Sequence, residues 1–352
     1  MTNFGSDNAA GVSPQIMAAL QAANAGSAQA YGADDVTQRL EQRFRVLFET
    51  DLVAFPVATG TAANALALSA LAPAYGVIFC HENAHIEEDE CGAPEFYTGG
   101  AKLVTIPGSC GRITPETLDL AAQRFRKGFQ HHPQPAAVSL SQATEWGTVY
   151  TPEELAAISE VAKKHELALH MDGARFANAV AHLDCSPADL SWRLGVDVLS
   201  FGATKNGAMA AEAVLFFDKD RAGDFLYRRK RGGHLFSKMR YLSAQLEAYI
   251  ADDHWLENAR HANRMAAILA EGLEQVPGTR LACPVQANEV FVQFLSEVAD
   301  RLLEDGFFFH PWPAAGESGY RLVTAFDTSE SDVAALLETA GRYAGELARR
   351  TA

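Results

Sequence analysis

Two ionisable side chains, a lysine and an aspartate, each follow a short apolar run of the sequence. Lys205 comes after the run at 196–201, in a turn of small residues, and Asp172 follows the run at 167–171. Each lies just past the carboxyl end of a predicted buried strand, where α/β sheets bind ligands. An amine can form a Schiff base with an aldehyde, and a carboxylate can keep a pyridine nitrogen protonated. The pair therefore predicts pyridoxal phosphate (PLP), whose ring takes up electrons from a bond broken at Cα.

A second motif suits the phosphate of such a cofactor. Thr59, Gly60 and Thr61 follow the apolar run 52–57 and open a predicted helix. Small residues let backbone N–H groups approach an anion, and a helix N-terminus is electropositive. Neither a G-x-G-x-x-G nor a Walker A pattern is present, which disfavours a dinucleotide or nucleoside triphosphate site.

Each candidate residue also has an ordinary structural interpretation. Asp172 can be a helix N-cap, and Arg175 and Lys205 can be exposed surface side chains. The three together at predicted strand ends favour a ligand site. Arg321 begins another predicted strand, and its guanidinium suits a substrate carboxylate, because it can donate two parallel hydrogen bonds.

The stretch from His81 to His85 reads H-E-x-x-H, a motif of zinc proteases in which two histidines bind the metal from one helix and a glutamate acts as base. Here it directly follows the apolar run 77–80, so we expect it at a strand-to-helix turn. A zinc hydrolase using His81, Glu82 and His85 stays a remote alternative, and we predict no metal. His85 has a competing role, in which its imidazole stacks on a planar cofactor.

The elements that must position these residues are visible as short apolar runs alternating with helical patterns. Such unalternating runs are typical of strands buried on both faces. Thr114-Pro115 and Thr151-Pro152 each have an N-cap threonine followed by proline at the first helical position. This alternation predicts an α/β fold with a large doubly wound, mainly parallel sheet. The predicted strands occupy 52–57, 77–80, 102–106, 136–140, 167–171, 196–201 and 213–217.

From about residue 237 the pattern changes. A long amphipathic helical stretch leads to apolar runs at 290–294, 307–309 and 321–324, and then to a final helix over about 332–348. We therefore predict an N-terminal arm over 1–25, a large PLP-binding domain over 26–245 and a smaller C-terminal α/β domain over 246–352. The arm is expected to pack on the small domain.

Composition excludes several classes of protein. The chain has 352 residues, and its formal net charge of −15 argues against nucleic acid or an anionic membrane as a partner. The most apolar region, 52–80, is interrupted by proline and glycine and is too broken to span a bilayer. The five cysteines include no C-x-x-C pair and no signal peptide is evident, so we expect free thiols and a cytoplasmic location.

Taken together, the motifs resemble the threonine aldolase family of fold type I PLP enzymes, which share the aspartate aminotransferase-like fold. The resemblance is nearest to the branch of L-phenylserine aldolase and low-specificity L-threonine aldolase. It covers nearly the whole chain, and its most branch-specific stretches are 89–96 and 200–207. The other markers are Ser6-Asp7-Asn8, Tyr31-Gly32-Ala33-Asp34, Thr59-Gly60-Thr61, His85, Asp172-Gly173-Ala174-Arg175, Lys238-Met239-Arg240 and Arg321-Leu322-Val323-Thr324.

The resemblance implies roles for these residues at a PLP site. Lys205 would hold the cofactor aldehyde, Asp172 would pair with the ring nitrogen, and His85 would stack on the ring and take the β-hydroxyl proton. The remaining cofactor contacts would come from Thr59, Gly60, Thr61 and Arg175, and from Lys230, Arg231 and Arg240 of a partner subunit. The substrate would contact Ser6, Arg175, Arg321 and Glu145. A shared site implies a homodimer at least, and the family suggests a tetramer.

The implied reaction is cleavage of L-β-hydroxy-α-amino acids, such as L-threonine, L-allo-threonine and L-phenylserine, to glycine and an aldehyde. One departure from the family pattern affects its chemistry. Many bacterial threonine aldolases have Glu-Asn-Thr-His where this chain has Gln142-Ala143-Thr144-Glu145, so a carboxylate replaces a pocket histidine. The identity of the catalytic base therefore stays open. Transamination and β-elimination on the same fold are the alternative reactions, and a non-catalytic binding protein is a third interpretation.

Overall fold

The computed structural model describes the backbone of residues 2–351, which form thirteen α-helices, six short 3-10 helices and thirteen strands. The helices are α1 Pro14–Ala23, α2 Asp35–Leu47, α3 Gly60–Leu71, α4 His85–Glu88, α5 Ala93–Thr98, α6 Pro115–Gln123, α7 Pro152–Lys164, α8 Phe176–Leu183, α9 Phe225–Arg231, α10 Arg240–Tyr249, α11 His254–Glu274, α12 Ser296–Glu304 and α13 Glu330–Thr351. The strands are β1 Thr2–Asn3, β2 Val53–Val57, β3 Gly76–His81, β4 Lys102–Ile106, β5 Gln134–Ser141, β6 Ala168–Gly173, β7 Val198–Gly202, β8 Glu212–Phe216, β9 Arg280–Leu281, β10 Glu289–Gln293, β11 Phe307–Phe308, β12 His310–Pro311 and β13 Gly319–Val323.

The central sheet has seven strands in the order β2-β8-β7-β6-β5-β3-β4. Each of the seven predicted apolar runs corresponds to one of them, and the predicted mainly parallel α/β fold is confirmed. Only β8 in this sheet runs antiparallel, to both β2 and β7. The strands β3, β6, β7 and β8 are buried at every residue, which explains why their sequences are mostly apolar and do not alternate with exposed polar residues.

Helix starts follow the predicted caps. In α7 the Thr151 hydroxyl accepts from the backbone N–H of Glu154, whose carboxylate accepts in turn from the N–H of Thr151. Thr114 caps α6 in the same way, with Thr117 as its partner. Proline follows both caps at a position where a helix needs no N–H donor. Of the helices described here, none is long and apolar enough to cross a membrane.

Two large groups of buried apolar side chains flank the sheet, and a third lies in the C-terminal part of the chain. Aromatic rings of Phe44, Phe48, Phe176 and Phe201 pack together on one face of the sheet, and α3 covers the other. The C-terminal group is built on the sheet β12-β13-β10-β9 with α11, α12 and α13. Helix α11 contributes to two groups, through Trp255 at its start and through its later turns. The predicted domain bounds stay a prediction.

The N-terminal arm crosses from the C-terminal apolar group to the central one. Strand β1 pairs in parallel with β11, and Phe4 is fully buried in the C-terminal group. Further along, Ile16 of α1 is buried in the central group, where α1 packs on α10. The expectation that the whole arm packs on the C-terminal part is therefore wrong for α1, because its apolar side chain finds its partners on α10.

One disulfide corrects the expectation of free thiols. Cys110 and Cys283 are bonded across a sequence separation of 173 residues, and their Cα atoms lie 5.9 Å apart. They lie beside a small apolar group that includes Trp146 and Phe291. Only the tertiary fold brings the two cysteines together, so no local spacing indicates the pair. Cys80, Cys91 and Cys185 are free, in agreement with the expectation.

Candidate active site

The carboxyl ends of three neighbouring strands converge on one cavity of about 340 Å³. In the sheet register, Ser141 at the end of β5 pairs with Asp172 in β6, which pairs with Ser200 in β7. The chain then leaves β7 and forms a 3-10 turn at Thr204–Asn206 that holds Lys205. Asp172 and Lys205 both border the cavity, as predicted from their places after the apolar runs.

Asp172 is nearly buried, and two N–H groups fix its carboxylate. Oδ2 accepts from Asn64 Nδ2 at 2.7 Å, and Oδ1 accepts from the backbone N–H of Ala174 at 2.9 Å. The Lys205 ammonium faces the same space and makes no hydrogen bond or ion pair with any side chain of the described chain. The cavity thus offers a ligand the fixed carboxylate of Asp172 and the unpaired amine of Lys205.

The start of α3 forms another wall of the cavity. Thr59 is the N-cap, and its hydroxyl accepts from the N–H of Ala62 at 3.2 Å. Gly60 and Thr61 also border the cavity, and a Cβ at Gly60 would meet no atom within 4 Å. Backbone N–H groups of the first turn have no helical acceptor, so this end offers donors to an anion.

His85, at the start of α4, lies between two carboxylates. Its Nδ1 is 2.9 Å from Oε1 of Glu90, and its backbone N–H donates to Oε1 of Glu145 at 2.8 Å. The hydrogen bond with Glu90 raises the pKa of the imidazole, against the opposing effect of burial. The ring therefore has a fixed orientation at the cavity edge.

Glu145 itself is tied down at one oxygen only. Its Oε1 also accepts from Ser141 Oγ at 2.5 Å, while its Oε2 is buried and has no hydrogen-bond partner. Burial raises the pKa of Glu145 to about 7. The Glu145 carboxyl can therefore gain or lose a proton near neutral pH, at the oxygen Oε2 that has no hydrogen-bond partner.

Arg175 joins the site to distant parts of the chain. Its Nε and Nη2 donate to the two carboxylate oxygens of Asp7, at 2.8 and 3.1 Å, and its Nη1 lies 3.1 Å from Oε2 of Glu289. Burial opposes the ionisation of Asp7, but the charges of Arg175 and Lys205 outweigh it and lower the pKa of Asp7. Both acids are almost fully buried, so the guanidinium is held firmly beside the cavity.

Ser6 and Arg321 border a smaller adjoining cavity of about 140 Å³, which shares His85, Glu145 and Lys205 with the first. Arg321 donates from Nη2 to the carbonyl of Gly5 at 3.1 Å, and its Nε is buried without a partner. A guanidinium with a free buried donor is suited to a carboxylate.

Three predicted cofactor-binding residues, Lys230, Arg231 and Arg240, lie away from both cavities of the same protomer. The Lys230 ammonium lies 4.9 Å from the centre of the Tyr31 ring, and Arg240 donates to the carbonyl of Gly26 at 3.2 Å. Neither they nor Arg231 border the two cavities described above. Their assignment to the site of a partner subunit stays a prediction.

The H-E-x-x-H stretch has the geometry expected of a turn. His81 ends β3 and His85 begins α4, so the two rings do not share a helical face. His81 uses one ring nitrogen with the N–H of Asn83 and the other with the carbonyl of Gly108, and Glu82 is exposed. This arrangement removes the support for a zinc protease helix.

Several residues that sequence reasoning missed belong to the same site. Asp7 and Glu90 lie within stretches that carry the family resemblance, although neither was given a role. Asn64 ends the small-residue motif that follows β2, and Glu289 has no local signal. Glu212, in the antiparallel strand β8, borders the cavity and accepts from the N–H of Ala203 at 2.8 Å, and burial raises its pKa to about 7.

Comparison with known proteins identifies the family. The sequence model of the beta-eliminating lyases matches residues 3–296. The chain belongs to this family. Its relatives include the low specificity L-threonine aldolase of Pseudomonas aeruginosa, 50% identical over 92% of this chain and 93% of that protein. Another is the low specificity L-threonine aldolase of a Pseudomonas species, 46% identical over 94% of each chain.

Solved structures share the fold of this chain. A threonine aldolase of Leishmania major superimposes with a TM-score of 0.91 and 30% identity, covering 98% of this chain and 100% of that one. Serine palmitoyltransferase of Sphingomonas wittichii, at 18% identity and a TM-score of 0.74 over 98% and 87% of the two chains, shares the fold. The predicted relationship to threonine aldolases and the predicted fold class are confirmed.

Proposed function

We propose that this chain is a PLP-dependent aldehyde-lyase that cleaves L-β-hydroxy-α-amino acids between Cα and Cβ, to glycine and an aldehyde. The observation that carries the proposal is the meeting of Lys205, Asp172 and Glu145 at one cavity, with one Glu145 oxygen free of hydrogen bonds. An amine, a fixed anion and a proton acceptor are the three groups that a retro-aldol cleavage of an amino acid requires. Relatives named low specificity L-threonine aldolase, 46–50% identical, support L-threonine as a substrate.

The cavity suits the cofactor. Its volume of about 340 Å³ lies in the range of small-molecule sites. Lys205 would hold the aldehyde carbon, Asp172 the ring nitrogen and the α3 N-terminus the phosphate, with open space over Gly60 where an anion would sit. PLP bound there supplies an electron sink for the broken bond.

The substrate carboxylate is assigned to the adjoining cavity. Arg321 offers a buried Nε–H that has no partner, and Ser6 borders the same space. Arg175 is already bonded to Asp7 at two nitrogens, so we assign it mainly to fixing the wall between the cavities. Holding the substrate carboxylate in one place fixes the direction of the Cα–Cβ bond. Such fixed orientation of the reacting groups contributes a large part of the rate enhancement of enzymes.

Glu145 is assigned as the acceptor of the β-hydroxyl proton, and His85 as the ring that covers the cofactor. Glu145 Oε2 is unpartnered, and the pKa of about 7 lets the carboxylate take up a proton at neutral pH. The Nδ1 atom of His85 is engaged by Glu90, so its ring is held in one plane. Both residues border both cavities, where the substrate would bridge the two binding regions.

A partner subunit would complete the site. Lys230, Arg231 and Arg240 remain away from the cavities of the same protomer, and the first two are exposed. We propose a homodimer in which these cations reach the neighbouring site, within a tetramer of cytoplasmic enzyme. Sedimentation velocity of the holoenzyme tests the assembly, because a monomer that keeps full activity contradicts it.

A substrate panel tests the reaction. The holoenzyme is incubated with L-threonine, L-allo-threonine and L-phenylserine, and the products are separated. Glycine with acetaldehyde or benzaldehyde is expected. Ammonia with a 2-oxo acid would instead identify β-elimination, the chemistry in the family's name. Lys205→Ala should abolish turnover, whereas Lys219→Ala, an exposed lysine that pairs with Asp51, should leave it unchanged.

A further inference from the structure

Glu90 is a buried carboxylate that none of the proposed steps uses. It follows α4, in the loop before α5, and its side chain has no solvent exposure. It borders neither of the two cavities, so it cannot touch a substrate or cofactor placed in them. Burial of an ionisable acid without a compensating role is costly, and such groups concentrate near functional sites.

The contacts of Glu90 link two groups that do border the main cavity. Its Oε1 accepts from Asn64 Nδ2 at 2.8 Å and lies 2.9 Å from His85 Nδ1. The same Asn64 nitrogen donates to Asp172 Oδ2 at 2.7 Å. The two hydrogens of one amide group thus hold two carboxylates, Glu90 beside the His85 ring and Asp172 at the main cavity.

This arrangement restricts the protons of His85. Burial raises the pKa of Glu90, but its hydrogen bonds with His85 and Asn64 oppose that effect and favour the carboxylate. An ionised Glu90 has no hydrogen to give, so the Nδ1 atom of His85, 2.9 Å from Oε1, carries the hydrogen that joins them. The other ring nitrogen is then the one whose protonation changes. A neighbouring anion favours the charged imidazolium, which fits the raised pKa of His85.

We propose that Glu90 is a positioning residue that fixes the tautomer and the charge of His85 by accepting its Nδ1–H, and that Asn64 joins this pair to Asp172. The inference rests on the proposed function, in which the His85 ring covers the cofactor. Glu90 thereby determines the plane of the ring and the number of positive charges at that face of the site.

Charged groups from every neighbouring element act on the same imidazole. Asp172 from β6 raises the pKa of His85 after Glu90, and Lys205 from the turn after β7 lowers it. Glu145 binds the backbone N–H of His85, and Arg175 borders the same cavity. Among these, Glu90 is the group in direct contact with the ring, so its removal should have the largest effect.

The wild-type holoenzyme gives the first test. With histidine labelled by ¹⁵N and the His85 signals identified from a His85→Asn variant, NMR titration reports the tautomer and the pKa of the ring. We expect an Nδ1–H tautomer and a pKa above the ordinary value of 6.5. A His85 ring that carries its hydrogen on Nε2, or that titrates below 6.5, would overturn the proposal without any change at Glu90.

Glu90→Gln gives the second test, since it removes the charge at nearly the same size. The imidazole pKa is expected to fall by about one unit or more, a tenfold shift in protonation. Glu87→Gln, which removes an exposed charge two residues from His85, is the matched control and should not shift the pKa. If the variant folds, as judged by its circular dichroism, and His85 titrates as in the wild type, the proposal is wrong.

The outcome separates this inference from the proposed function. Wild-type enzyme that releases glycine while Glu90→Gln leaves the His85 pKa unchanged overturns the role of Glu90 alone. Wild-type enzyme that releases no glycine from any substrate of the panel overturns the aldolase function, whatever the titration shows. A shifted pKa accompanied by an altered absorbance maximum of bound PLP supports the link through Asn64 to the ring.

Discussion

The substitution Glu145→Gln tests the proposed proton acceptor with little change in packing. The amide oxygen can still accept from Ser141 Oγ and from the backbone N–H of His85, as Glu145 Oε1 does. The amide nitrogen, however, cannot take up a proton at the position of Oε2. A positioned base contributes roughly 10²–10⁴-fold to a rate. We therefore expect kcat/KM to fall by that factor, equivalent to about 3–5 kcal/mol in the barrier.

The pH dependence of kcat/KM gives a second, independent test of the role of Glu145. Burial raises the pKa of Glu145 to about 7, and the ionised form is the one that accepts a proton. A group with that pKa is ionised in about 10% of molecules at pH 6 and about 90% at pH 8. The wild-type kcat/KM should therefore rise about ninefold over this interval and level off above it. The variant has no ionisable group there and should lack this rise.

The assay follows acetaldehyde release from L-threonine between pH 6 and pH 9, with the amount of bound PLP measured by absorbance in each sample. Glu82→Gln is the control, because Glu82 is exposed and borders neither cavity. It should behave as the wild type. A Glu145→Gln enzyme that binds PLP, keeps kcat/KM within about threefold and still shows the rise near pH 7 would refute the assignment.

Further predictions concern backbone space and the disulfide. Gly202→Ala would place a Cβ 2.5 Å from the carbonyl oxygen of Ala174, so urea unfolding should show a loss of about 1–3 kcal/mol. Gly60→Ala meets no atom within 4 Å and should keep its stability, but its methyl group should weaken phosphate binding about tenfold in calorimetry with PLP or inorganic phosphate. Replacing Cys110 and Cys283 together by serine should lower the free energy of unfolding by about 2–5 kcal/mol, and dithiothreitol should do the same to the wild type. Unchanged melting in dithiothreitol would contradict the bond.

Local sequence patterns predicted most of the central sheet, because strands buried on both faces need continuous apolar residues. The helices after Thr114 and Thr151 could be predicted equally well, since capping depends on neighbouring residues alone. The direction of β8 could not be predicted from the sequence. An antiparallel strand between two others has the same apolar composition as a parallel one, and only its pairing with β2 and β7 reveals the direction.

The residues of the candidate site also fall into those that the sequence could predict and those that it could not. Lys205 and Asp172 follow strands, so their position at the sheet edge could be predicted. Asn64 and Glu90 act through contacts between elements far apart in the chain, such as the bond from Asn64 to Asp172. Glu289 lies in β10 and reaches Arg175 only through the tertiary fold. A pattern within one segment does not contain such contacts.

The bonds of the N-terminal arm determine when the site can be completed during synthesis. Phe4 accepts from the backbone N–H of Val323 through its carbonyl, and Asp7 binds both Arg175 and Asn288. A ribosome that has released only the central sheet has produced Lys205, Asp172, Asp7 and Arg175, but not Asn288 and Glu289, which hold Asp7 and Arg175 from the C-terminal part. The first residues of the arm can therefore take their final place only after residue 323 has been synthesised, whereas α1 can already pack on α10.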